Sequence, residues 1–82
     1  MRSQMERDMI PDRFDLSQRN LYACPLFMFE ERLKMLTLQN NYINRIENLN
    51  HLLELVYLDL SNNRLEVHKI RLNLFIYIYI DN

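Results

Sequence analysis

Leu33, Leu36, Leu38, Asn41 and Ile43 return as Leu55, Leu58, Leu60, Asn63 and Leu65, each 22 residues later. Five matched positions at one spacing constrain the fold more than any other feature, because a fixed period of this length marks a stack of identical supersecondary units. The first full unit is LKMLTLQNNYINRIENLNHLLE and the second opens LVYLDLSNNRLE. A weaker copy precedes them. Phe14, Leu16, Leu21 and Cys24 occupy the positions of Leu36, Leu38, Ile43 and Ile46, but Arg19 stands where the asparagine belongs and Pro11 where the leading leucine belongs.

The L-x-L part of each unit alternates with period two, which predicts a half-buried strand with Leu36 and Leu38 inward and Thr37 outward. Asparagine suits the corner that follows, since its side-chain amide can satisfy backbone groups of adjacent coils. Asn41 and Asn63 are therefore expected to stack as a structural ladder. Ile43, Ile46, Leu49, Leu52 and Leu55 are spaced by three, which predicts a 3₁₀ or short helical return on the opposite side. One coil cannot bury its own apolar edge, so the unit makes sense only as a stack. The expected architecture is α/β: a short solenoid with parallel strands on the concave face and returns on the convex face. Residues 1–12 form a lead or capping segment, 13–66 the repeats and 67–82 a divergent tail.

The L-x-x-L-x-L-x-x-N-x-[IL] pattern resembles the leucine-rich repeat family, 22-residue class. Its usual phrases stand at 44–49 (NRIENL) and 58–63 (LDLSNN). The stretch 15–49, with Leu21-Tyr-Ala-Cys-Pro followed by Glu-Glu-Arg-Leu33, is similar more narrowly to repeat-containing subunits of tubulin polyglutamylase complexes. The resemblance implies binding rather than catalysis: members take protein partners on the concave face. On this chain that face would comprise Asp15 and Ser17, then Met35, Thr37 and Gln39, then Tyr57, Asp59 and Ser61, joined by Tyr77, Tyr79 and Asp81 if the tail is a strand. Tyr57 is the expected anchor, since aromatic side chains dominate binding hot spots. The implied role is a scaffold or adaptor, with a subunit of a cytoskeletal or ciliary tubulin-modifying assembly as the alternative. The expected location is cytoplasmic, cytoskeletal or ciliary.

Composition narrows the remaining classes. Ten basic residues against eleven acidic ones give a formal charge of −1, which offers no bulk attraction to nucleic acid or anionic membrane. There is no glycine, so the chain has no glycine-rich phosphate loop and no dinucleotide fingerprint. No cofactor, metal or small-molecule substrate is expected. Residues 1–15 lack the apolar core of a secretory signal. The longest apolar run, Leu74 to Ile80, falls far short of the ~20 residues of a spanning helix.

Single residues that could carry chemistry have simpler structural assignments. Cys24 sits at an inward position and reads as core. His51 and His68 lack the companion cysteines of a zinc site. Glu47 faces solvent in the IENL phrase, and Glu30 and Glu31, beside Arg32 and Lys34, read as a solvated turn. Met1, Met5 and Met9 have helical spacing, so they read as a docking stripe or as a helix that covers the first coil and ends near Met9 or Ile10 before Pro11; disorder is the competing reading.

The tail has two readings. Phe75, Ile78 and Ile80 repeat the L-x-x-L-x-L spacing 20 residues after Leu55, Leu58 and Leu60, which makes a further strand. The low complexity of LNLFIYIYI, with His68 and Arg71 at expected apolar positions, favours unrelated sequence that replaced the true continuation. The segment is β-prone and uncharged, the composition of an aggregation-prone edge. Two full and two partial units are marginal for a stable stack, so a fragment or truncated isoform of a longer repeat protein is expected.

Overall fold

The computed structural model describes residues 1–66 and 76–80. A short helix, α1 (Gln4–Met9), is followed by four three-residue strands: β1 (Arg13–Asp15), β2 (Met35–Thr37), β3 (Tyr57–Asp59) and β4 (Tyr77–Tyr79). The strands form one parallel sheet in the order β1-β2-β3-β4. Phe14, Leu36, Leu58 and Ile78 stand in register as one row, so the sequence period and the strand register coincide for the first three strands.

The last step differs. Leu58 pairs with Ile78, 20 residues on, which is the spacing of the further-strand reading of the tail. Tyr77–Tyr79 thus adopts that reading, whereas His68, Arg71, Phe75 and Asp81 lie outside the described residues.

The inward rows make the core. Phe27, Leu33, Leu36, Leu38, Ile43, Leu58 and Leu60 are fully buried, joined by Leu49, Leu52, Leu55, Leu65 and Cys24. On the return side, Leu33, Leu52 and Leu55 each donate a backbone N–H to the carbonyl three residues earlier. These are separate turns and not the continuous 3₁₀ or helical return that the spacing predicts. The Leu53 N–H bonds back to the His51 carbonyl and interrupts the run, in keeping with the poor persistence of 3₁₀ geometry.

The first coil is closed by a feature that the repeat does not predict. α1 is capped by Ser3, whose hydroxyl accepts from the Glu6 N–H while the Glu6 carboxylate accepts from the Ser3 N–H. The helix ends at Met9, with Pro11 just beyond. The N-terminal methionines do not cover the coil: Met1, Met5 and Met9 are 68%, 73% and 75% exposed. Arg2 covers it instead. Its guanidinium lies 4.7 Å from the centre of the Phe14 ring and donates to both oxygens of Glu30, at 2.9 and 2.6 Å.

Glu30 is therefore not part of a solvated turn; it is 3% exposed. The physical reason lies in the frame: 22 residues before the buried Leu52, position 30 points inward, and a carboxylate held there needs a charged partner. Arg2 further donates to the carbonyls of Ile10 and Arg13. Arg32, bonded to Asp8 at 3.1 Å, ties the helix to the same end from outside.

Each corner after a strand needs a left-handed residue. Gln18, Asn40 and Asn62 have φ of 55°, 60° and 55°, one per unit and 22 residues apart. Asparagine tolerates this region better than glutamine. The Asn62 amide also donates to the Asn40 side-chain oxygen at 2.8 Å. Gln18→Asn is expected to raise stability by about 0.5–1 kcal/mol in urea unfolding, through relieved strain and a third asparagine in that row. A neutral or lower midpoint would show that the corner holds no strain at Gln18.

Candidate functional site

Alternation along each strand leaves two rows of side chains on the face opposite the core. One row is Arg13, Met35, Tyr57 and Tyr77; the next is Asp15, Thr37, Asp59 and Tyr79. Ser17, Gln39 and Ser61 follow, half-buried, where the chain leaves the strands. The sheet bonding runs past the strand ends, with N–H groups of Leu16, Leu38 and Leu60 donating to Thr37, Asp59 and Tyr79 carbonyls. All eight outward residues singled out from the sequence through Ser61 fall on this face. Arg13 heads the first row and was missed, although it lies 22 residues before Met35.

The face changes character along its length. At the β1 end, Asp15 Oδ1 accepts from the Ser17 N–H at 2.9 Å and from the Thr37 hydroxyl at 3.0 Å. These bonds, the Ser17 backbone first, hold the Asp15 carboxyl below its ordinary range and keep it ionised. An open groove of about 420 Å³ lies beside it, lined by Ile10, Arg13, Phe14, Asp15, Met35 and Thr37. Toward β4 the face becomes aromatic. The rings of Tyr57 and Tyr79 lie 5.2 Å apart at a 40° tilt, and Asp59 repeats the turn of Asp15 by accepting from the Ser61 N–H.

Two buried asparagines stand at the corners behind this face. Asn41 Oδ1 accepts from the N–H groups of Arg19 and Leu21 in the preceding unit, both at 3.0 Å. Its Nδ2 donates to the carbonyls of Leu16, Leu38 and Gln39. Asn63 accepts from the Ile43 N–H and donates to Leu38, Leu60 and Ser61 carbonyls. Each amide spans two units. Position 19 carries arginine, so the first unit contributes only its backbone to the set.

The residues weighed for chemistry sit apart from the face. Cys24 is 2% exposed, and burial pushes its thiol up, against the smaller opposing effect of a backbone hydrogen bond at Glu47. Glu47 itself is half-buried and not fully solvated. The folded chain should therefore react with an aromatic disulfide at neutral pH on the order of tenfold or more slowly than the chain in denaturant. Equal rates would contradict the burial. A His51 ring nitrogen lies 2.8 Å from the Phe27 carbonyl, a structural contact between neighbouring returns. Among the described residues, no group of three or more His, Cys, Asp or Glu side chains is placed to hold a metal ion. No helix among them is long and apolar enough to cross a membrane.

No protein-family model and no solved structure matches the chain significantly. Curated relatives do. The human leucine-rich repeat-containing protein 49 is 38% identical over 65 residues, covering 79% of this chain and 10% of the relative. Its mouse counterpart is 40% identical over 56 residues, covering 68% of this chain and 8% of the relative. The chain thus spans about a tenth of the length of the curated relatives it matches. Similarity to two proteins named for their repeats, together with a 22-residue period that recurs as strand register, supports a leucine-rich repeat protein.

Proposed function

We propose that the chain is a short leucine-rich repeat solenoid acting as a non-catalytic protein-interaction module, a scaffold or adaptor whose concave face binds another protein. The observation that carries this reading is the pair of outward rows running unbroken across all four strands. Such rows present side chains at fixed spacing on a rigid support, at little entropic penalty for binding. Tyr57 is the central anchor, half-buried against Tyr79 and flanked by Met35 and Tyr77. Asp15, Ser17, Thr37, Gln39, Asp59 and Ser61 supply the polar contacts around it.

The test is affinity capture with the intact chain against Tyr57→Ala and Asp59→Ala. Capture of the partner is expected to fall at least about tenfold for Tyr57→Ala, the scale of a hot-spot residue, with the circular dichroism spectrum unchanged. Undiminished capture by both folded variants would remove the concave face as the binding surface. The narrower reading, a cytoplasmic subunit of a cytoskeletal or ciliary tubulin-modifying assembly, is supported by the resemblance of residues 15–49 stated above. Colocalisation of the tagged chain with axonemes tests it, and a diffuse or nuclear distribution counts against it.

A further inference from the structure

We infer that Tyr57, Asp59, Tyr77 and Tyr79 form a subsite that receives a lysine or arginine side chain of the partner protein. This rests on the concave-face reading above and adds the chemistry of the partner. The four residues are neighbours by register, with Tyr57 opposite Tyr77 and Asp59 opposite Tyr79. Opposed residues on adjacent strands stand about 5 Å apart, so three phenol rings and one carboxylate share a single patch. Tyr77 and Tyr79 remain 75% and 53% exposed.

The rest of the chain shows what its aromatic rings do when a cation is within reach. Arg2 lies over Phe14 at 4.7 Å, Arg7 over Phe29 at 5.5 Å and Arg64 over Tyr42 at 4.8 Å. Among the described residues no guanidinium of the chain lies over Tyr57, Tyr77 or Tyr79, and no basic side chain is paired with Asp59. Aromatic faces attract cations, and a carboxylate at the edge of the patch adds the counter-charge. The exclusions point the same way. A partner carboxylate would meet Asp59 and, two strands along the same row, the ionised Asp15. A purely apolar side chain would cover the Asp59 carboxylate with the Ser61 N–H on it but no counter-charge, which is unfavourable. The single arginine in these rows, Arg13, stands on β1, three strands from Tyr77.

The experiment is a nuclear magnetic resonance titration of the full chain with three small probes: N-acetyl-lysine methylamide, N-acetyl-arginine methylamide and the uncharged N-acetyl-norleucine methylamide. The two cationic probes are expected to shift the amides of Tyr57–Asp59 and Tyr77–Tyr79, with norleucine binding on the order of tenfold more weakly. Asp59→Asn should weaken the lysine probe by a similar factor. Tyr79→Phe should retain binding and Tyr79→Leu lose it, a contrast that a merely structural role would not produce. Norleucine binding as well as lysine, or shifts confined to other parts of the chain, or no shift with any probe, would each overturn the subsite. If capture of the partner still depends on Tyr57 in that case, the concave face stands and only the cationic specificity falls. If capture is also indifferent to Tyr57 and Asp59, both fall.

Discussion

Asn41→Ala is expected to cost about 3–5 kcal/mol of stability, near the upper end for any single substitution. Removing the amide takes the acceptor from the part-buried N–H groups of Arg19 and Leu21 and a donor from the carbonyls of Leu16, Leu38 and Gln39. Alanine leaves a space with no replacement partner, and each buried group left unsatisfied costs about 1–3 kcal/mol. A chain of 82 residues has a total stability of roughly 4–12 kcal/mol, so this change alone brings it close to unfolding at ambient temperature. Asn41→Asp, which keeps the acceptor but sets an unpaired carboxylate against those carbonyls, should cost at least as much as alanine at neutral pH. Urea unfolding followed by circular dichroism measures all three. A loss under about 1 kcal/mol for alanine would mean that the corner amide does not join the units.

The second large effect concerns the closed end of the stack. Arg2→Met should cost about 3–5 kcal/mol, because it leaves the Glu30 carboxylate buried without its counter-charge. The Glu30 side chain is 2% exposed and that of Arg2 8%, so solvent does little to screen the pair. The double variant Arg2→Met with Glu30→Leu should recover to within about 1–2 kcal/mol of the native chain, since apolar replacements of a buried ion pair are commonly neutral or stabilising. The leucine restores at position 30 what Leu52 supplies in the next unit. Unfolding midpoints of the two single variants and the double variant form a thermodynamic cycle. If the double variant is as unstable as Arg2→Met, the pair does not hold the end together and the packing of Arg2 against Phe14 does.

What could be read before the structure follows from which forces are local and periodic. The inward rows at 36, 38, 58 and 60 were legible because burial repeats with the strand period and the 22-residue frame together. The outward rows followed from them by alternation alone. Glu30 was misread because a carboxylate between Phe29 and Arg32 looks solvated when only its sequence neighbours are considered. The frame, extended backward from Leu52, carried the signal that it points inward. Arg2 left no such signal: its partner is 28 residues away and outside the repeat. Arg13 was lost because the first unit is degenerate at Pro11 and Arg19, which blurs where its strand begins. In the tail, the 20-residue spacing of Ile78 and Ile80 carried the register, while low complexity argued against it. Pairing with β3 fixes Tyr77–Tyr79 as strand, and the two extra aromatic positions of the outward face come with it.

The proposed function places binding on the outward strand rows and not on the returns. Site-specific photocrosslinking tests it most directly. A photoreactive phenylalanine analogue replaces Tyr57 in one variant of the full chain and Leu53 in another; Leu53 lies on a return and is 84% exposed. A discrete protein adduct is expected from position 57 and none from position 53, with the adduct abolished by adding Asp59→Ala. Adducts formed from position 53 alone, or equally from both, would contradict it.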